Sequence, residues 1–316
     1  MTLRSKSIKH PSSSYRAGKK ARKSLDIIHK QLAFLLPVTH FFGIDSMVSA
    51  KHIQDYQTQG VTVLRGVFKD WMQTLNNAAD QNTAHPSNRS ITHQSEQGKA
   101  RGRFFEDFCN WQEIGGFKQF VEHSPMAHIA AQLMQSQKVQ MFHDHYLDKA
   151  AISTVATPWH QDMPYYFVNG MQNVSFWIPL DSRTAQVSLK CVAGSHLWPK
   201  LIMPKKWSNA QSFYAKSEEF VDLPDIDQGD FKILSWPVEP GDVIAFNFKT
   251  IHGANANTQQ TCSRTVSFRL LGDDARFIKR PGATSPDYPH INQKNGERLR
   301  ADWFPIIYDR AKPFAT

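Results

Sequence analysis

What most narrows the fold of this chain is a succession of strand-length apolar segments in its second half. Val139 to Leu147, Val174 to Leu180, Val187 to Val192, Phe231 to Trp236, Val243 to Phe248 and Arg264 to Leu271 are separated by stretches carrying Gly, Pro and Asn. Helix signals dominate before them. Ser49 can cap a helix running through Tyr56, Gly60 ends it, and Val61-Thr62-Val63-Leu64 reads as a strand. Phe68 to about Ala79 is expected to be helical. Ser124-Pro125 is a helix start that places Met126, Ile129, Ala130 and Leu133 on one apolar face. Helices first and then many strands predict a mainly β architecture, an antiparallel double-sheet barrel with flanking helices buttressing one side.

With 316 residues, 41% of them hydrophobic and 12% aromatic, the chain can bury a substantial core. Its formal charge of +9 is unevenly placed: residues 1–30 hold nine Lys/Arg against the single acid Asp26, so the rest carries +1. The body therefore gives no electrostatic reason to expect a nucleic-acid partner. Residues 1–47 read as a basic arm and 48–316 as the folded domain. The arm fits a solvated tail or an organelle transit peptide, and Leu25, Ile28, Leu32 and Leu35 could line one helix face within it. Leu32 to Phe42, broken by Pro37 and His40, is too short for a transmembrane segment. Cys109, Cys191 and Cys262 show no paired spacing, which favours free thiols and a cytoplasmic setting, with organelle targeting through the arm as the alternative. The polar stretch from Asn82 to Gly102 could be an inert loop or a site cover.

The chemistry centres on Trp159-His160-Gln161-Asp162. His160 and Asp162 share one side of a strand end, and the strand from Val243 leads to a second histidine, His252, followed by Gly253. Two imidazoles and a carboxylate can hold one ferrous ion by a single face and leave its other positions open to O2 and a small molecule. In the last strand Arg264 shares a face with Val266, Phe268 and Leu270. A guanidinium on an apolar face requires an anion, either a dicarboxylate cosubstrate or a protein carboxylate.

Together with Trp177-Ile178-Pro179-Leu180-Asp181, Ala193-Gly194-Ser195-His196, Pro240-Gly241-Asp242-Val243 and the tail Leu271-Gly272-Asp273-Asp274-Ala275-Arg276-Phe277, these residues resemble the phytanoyl-CoA dioxygenase family of iron(II)- and 2-oxoglutarate-dependent oxygenases. The likeness runs from about Tyr56 to Phe304. It implies a double-stranded β-helix core of the jelly-roll, cupin-like kind, with His160, Asp162 and His252 as iron ligands and catalytic centre. It also implies that Arg264 binds the distal carboxylate of 2-oxoglutarate and that Trp177 lies beside the cosubstrate. Gln161 and His145 are further expected cosubstrate neighbours, and Tyr165, Tyr166 and Trp159 are expected to shape the pocket for a small-molecule substrate.

The expected reaction is hydroxylation of an unactivated C–H bond with decarboxylation of 2-oxoglutarate to succinate. Desaturation, ring formation or epimerisation at the same iron are alternatives, and a non-catalytic jelly-roll binding module is the reading from another class. Asp162 argues against halogenation, which needs a small residue there. Departures from the family pattern are Thr184-Ala185-Gln186-Val187, Ala254 and Lys149-Ala150-Ala151-Ile152. His143 and His145, which share a strand face, form a competing metal pair, but no Glu follows at the spacing such sites use; they are read as pocket or core histidines.

Overall fold

The computed structural model describes residues 47–93, 103–206, 210–215 and 218–312. Residues 1–46 of the basic arm, its proposed helix face among them, and residues 94–102 of the polar stretch lie outside them. Four α-helices occur among the described residues: α1 (Ala50–Gln59), α2 (Met72–Ala84), α3 (Gly115–His123) and α4 (Met126–Met134). The Ser49 hydroxyl accepts from the His52 amide while the Ser49 amide donates to the His52 ring, which closes the first turn of α1 from both sides. Gly60, at φ 77°, ends α1 in the left-handed region. A Cβ there would stand 2.5 Å from both His196 Nδ1 and Thr250 Oγ1.

The strands in chain order are β1 (Val61–Leu64), β2 (Ile91–His93), β3 (Phe104–Phe108), β4 (Lys138–Lys149), β5 (Thr157–His160), β6 (Val168–Asn169), β7 (Asn173–Pro179) and β8 (Leu189–Val192). They continue with β9 (Leu201–Ile202), β10 (Phe220–Val221), β11 (Ile233–Ser235), β12 (Val243–Phe246), β13 (His252–Ala254), β14 (Ser263–Leu271), β15 (Arg276–Phe277) and β16 (Ile306–Asp309). The major sheet runs β1-β12-β7-β14-β4-β3-β2, with β16 also paired to β4, and the minor sheet runs β11-β8-β13-β5. Every pairing within these two sheets is antiparallel, as expected for a jelly roll. Two short strand pairs, β9 with β10 and β6 with β15, flank them.

Alternation along β14 separates two environments. Val266, Phe268 and Leu270 join the helices in the largest apolar core; the Phe268 ring lies 5.0 Å from Phe120 and 6.2 Å from Phe117 of α3. Ser263, Thr265, Ser267 and Arg269 face the opposite way, towards the minor sheet. The apolar face is thus the helix-packing face, and the polar face looks into the space between the sheets. The tail motif is structural. Asp273 accepts from Ser136 Oγ and the Gln137 amide, and Asp274 accepts from the Met171 and Gln172 amides, so the end of β14 is tied to the starts of β4 and β7.

Candidate active site

A cavity of about 1020 Å³ opens between the two sheets, and its lining includes His160, Asp162 and His252. His160 and His252 sit opposite each other on β5 and β13. Asp162 follows β5 in helical geometry, at φ −75° and ψ −43°, where its amide donates to the Phe248 carbonyl. This local bend brings Asp162 Oδ1 to 3.6 Å from His160 Nε2 and 3.7 Å from His252 Nε2. One ligand atom from each residue falls within 4.8 Å of the others. His160 Nδ1 is bonded to the Pro158 carbonyl at 2.8 Å and His252 Nδ1 to the Thr250 carbonyl at 2.9 Å. Because a carbonyl can only accept, each ring donates from Nδ1 and directs Nε2, the nitrogen a metal would take, towards the carboxylate. Burial, followed by the neighbouring His160, lowers the His252 pKa to about 3, so it stays neutral.

The second oxygen of Asp162 is already occupied: Ser175 Oγ donates to Oδ2 at 3.1 Å, and Arg269 Nη2 stands 3.6 Å from it. Burial alone would raise the Asp162 pKa, but the Arg269 charge, then His252 and His160, hold it well below the ordinary carboxylate range. Arg269 Nε in turn donates to the Tyr166 hydroxyl. A carboxylate fixed through Oδ2 and ionised at Oδ1, beside two imidazole Nε2 atoms, is a donor set suited to a ferrous ion bound on one face.

At another part of the cavity stands a guanidinium that sequence reasoning did not single out. Arg183 is buried and lies over the Trp177 ring at 4.6 Å. It donates to the Arg264 carbonyl and to Thr265 Oγ1, while its Nε has no partner. Among the described residues no carboxylate comes within ion-pairing distance of it, and burial lowers its pKa to about 10. Lys149 lines the same cavity. Its Nζ donates to Thr157 Oγ1 across the gap between the sheets, and burial, then Arg183, lowers its pKa to about 7.

On the β2–β3–β4 side, Glu106 accepts from two rings, His93 Nε2 at 2.7 Å and His145 Nε2 at 3.0 Å. His143 is adjacent on β4, with Nδ1 on the Asp144 carbonyl and a buried Nε2 that has no partner. Both histidines line the cavity, in keeping with their shared strand face.

The structure brings His160, Asp162, His252, Trp177, His145, Tyr165 and Tyr166 to this cavity. Three other expected positions, Arg264, Gln161 and Trp159, lie outside the lining of this cavity. Arg264 lies on the helix side of β14, paired with Asp181 at 3.0 Å and Asp80 at 3.2 Å and bonded to Asn76, so a protein carboxylate is its anion. Gln161 is turned away by alternation, and its amide spans the Lys249 carbonyl and the Ile202 amide. Trp159 is turned the same way, with its Nε1 on Asp227 and Lys190 over its ring. Arg183, Arg269, Lys149 and Glu106 were missed. The one available signal was the polar alternation Ser263, Thr265, Ser267, Arg269, which marks the cavity face of β14.

The sequence profile described as phytanoyl-CoA dioxygenase (PhyH) matches residues 56–266. Among solved structures, the chain is similar to the non-heme α-ketoglutarate-dependent carbocyclase SnoK from nogalamycin biosynthesis, with 19% identity, TM-score 0.64, and coverage of 83% of this chain and 97% of that one. The epimerase SnoN in complex with Fe3+, α-ketoglutarate and nogalamycin RO gives 18% identity, TM-score 0.64, and coverage of 81% and 97%. EctD from S. alaskensis with 2-oxoglutarate and 5-hydroxyectoine gives 19% identity, TM-score 0.60, and coverage of 84% and 90%. At these identities the likeness is one of fold. No curated protein matches the sequence.

Proposed function

This chain belongs to the phytanoyl-CoA dioxygenase family, and from that premise we propose that it hydroxylates an unactivated C–H bond of a small organic or lipid-like substrate. It is an oxidoreductase of the iron- and 2-oxoglutarate-dependent class. The observation that carries the proposal is the convergence of His160 Nε2, His252 Nε2 and Asp162 Oδ1 in a cavity large enough for a cosubstrate and a substrate together. Iron(II), 2-oxoglutarate and O2 supply the oxidant for C–H cleavage, with the cosubstrate leaving as succinate and CO2.

The chain's own groups bind and orient. His160, Asp162 and His252 would hold the metal, and Ser175 and Arg269 keep Asp162 presenting a single oxygen. Arg183, a buried cation awaiting an anion, receives the distal carboxylate of 2-oxoglutarate in the role that Arg264 was expected to fill, with Thr265 beside it and Trp177 beneath. Tyr165 and Tyr166 border the substrate space. How the substrate lies against these groups would decide the outcome of C–H cleavage, so desaturation, ring formation and epimerisation would call on the same residues; solved structures of this fold include a carbocyclase and an epimerase. The free thiols of Cys109, Cys191 and Cys262 suit a reducing, cytoplasmic setting. No helix among the described residues is long and apolar enough to cross a membrane.

The test is anaerobic addition of Fe(II) and 2-oxoglutarate, which should produce a visible charge-transfer band that Asp162→Ala abolishes. Absence of the band from the intact protein overturns the oxygenase reading.

A further inference from the structure

We propose that Glu106 and His145, braced by His93, form a substrate anchor that receives a hydroxyl group of a ring-bearing substrate on His145 Nδ1. The proposal rests on the oxygenase reading of the same cavity and adds what that reading leaves open, the chemical class of the molecule oxidised.

The anchor is assembled by register. Phe108 pairs with His145 and Glu106 with Leu147 across β3 and β4, while β2 lies alongside and places Ile91 opposite Glu106 and His93 opposite Phe104. Each oxygen of Glu106 takes one imidazole nitrogen. Burial would raise the Glu106 pKa, but the bonds from His145 and then His93 hold it down to about 2. A carboxylate only accepts, so both rings carry their protons on Nε2. With Nε2 committed to Glu106, the ring turns Nδ1 outward as its other nitrogen, and among the described residues nothing is bonded to it. The ring stands edge-on to Phe108 at 5.4 Å and 81°, and its 16% exposed side chain is part of the cavity lining.

A carboxylate that fixes an imidazole by one nitrogen, while the other faces outward as an acceptor, is the arrangement that takes a hydrogen bond from a hydroxyl. His143 repeats the feature two residues earlier on β4. Its Nε2 is a buried acceptor without a partner, on the side of Arg269 and Asp162. This wall therefore offers acceptors and calls for a donor. An ammonium donor is disfavoured, because Lys149, Arg183, Arg269, Lys205 and Lys206 outnumber Asp162 and Glu106 in the lining. Phe104, Phe108, Tyr165 and Phe213 supply flat apolar surface in the same cavity, which suits a ring.

Phenol and anisole are matched probes, equal in ring and differing in the donor. The full chain is loaded with Zn(II) and 2-oxoglutarate, and the histidine side-chain nitrogens are followed by 15N NMR, with the His145 signals identified as those lost in His145→Gln. The expected result is an unprotonated His145 Nδ1 that phenol shifts and anisole does not. His145→Phe should weaken phenol binding about tenfold or more, the scale of one hydrogen bond within a charged network, without weakening anisole. Glu106→Gln serves as a second variant if the first does not fold, and should weaken phenol in the same way. A protonated Nδ1, equal responses to phenol and anisole, or unchanged phenol affinity in the folded variants would overturn the anchor. Zn(II) and 2-oxoglutarate binding, measured calorimetrically in the same samples, report separately on the oxygenase reading: their loss sinks that reading, whereas their presence with a failed phenol response sinks the anchor alone.

Discussion

A guanidinium buried without a carboxylate costs several kcal/mol, and Arg183 is such a group, whereas Arg264 has its acids at hand. The two arginines should respond oppositely to truncation. Arg183→Leu is expected to raise the KM for 2-oxoglutarate on the order of 100-fold, the scale of a lost buried charge contact, while thermal stability holds or rises. Arg264→Leu should leave that KM within about twofold and cost roughly 1 kcal/mol in urea unfolding, as befits a partly exposed pair. The reverse pattern would return the cosubstrate role to Arg264.

Lys149 gives a pH signature. Its folded pKa is about 7 against an ordinary 10.5, through burial and then Arg183. A charged Lys149 beside Arg183 attracts a carboxylate, so 2-oxoglutarate affinity should fall as pH rises through about 7, and Lys149→Arg should flatten that profile. Stability runs the other way. Between pH 7 and 10.5 the unfolded chain holds the extra proton, so the lysine's contribution to folding improves as pH rises across that window. Urea midpoints of the native chain and of Lys149→Met, measured across it, should converge.

At the scale of elements, the helix-to-strand junction at Gly60 reaches the metal centre. An Ala at φ 77° costs about 1–3 kcal/mol in backbone strain, and its Cβ would also push on Thr250, whose carbonyl orients His252. Gly60→Ala is expected to lower both stability and Mn(II) affinity; unchanged metal affinity in the folded variant would uncouple the junction from the site. Phe268→Ala, on the helix face of β14, should cost about 3–5 kcal/mol and leave the metal site intact if the variant is folded.

Local signals located α1, α4 and the central strands to within a few residues, because capping chemistry and alternation are written in neighbouring side chains. β2 and β3 were not legible. Phe104-Phe105-Glu106-Asp107-Phe108 carries a buried acid on each face, and only the partners His93, His145, Asn82 and Ser87, supplied from elsewhere, make those acids tolerable.

For the whole molecule, the proposed metal and cosubstrate positions lie between two sheets contributed by distant parts of the chain, so both ligands should report on global stability. Mn(II) and 2-oxoglutarate at a hundredfold excess over Kd contribute about 2.7 kcal/mol per site filled. That corresponds to a Tm rise of roughly 5–10 °C for a domain of this size, and Asp162→Ala should abolish the metal's share.

The sequence by itself determined the strand succession and the packing helices, since capping and period-two alternation survive without knowledge of neighbours, and its motif spacing singled out His160, Asp162 and His252 as candidate ligands. It could not determine which face of β14 looks into the site. Alternation defines two faces but not what covers each. Only the helices stacked on Val266, Phe268 and Leu270 make the other face the cavity, placing Arg264 against Asp181 and leaving Arg183, from a loop outside that strand, as the buried charge over Trp177.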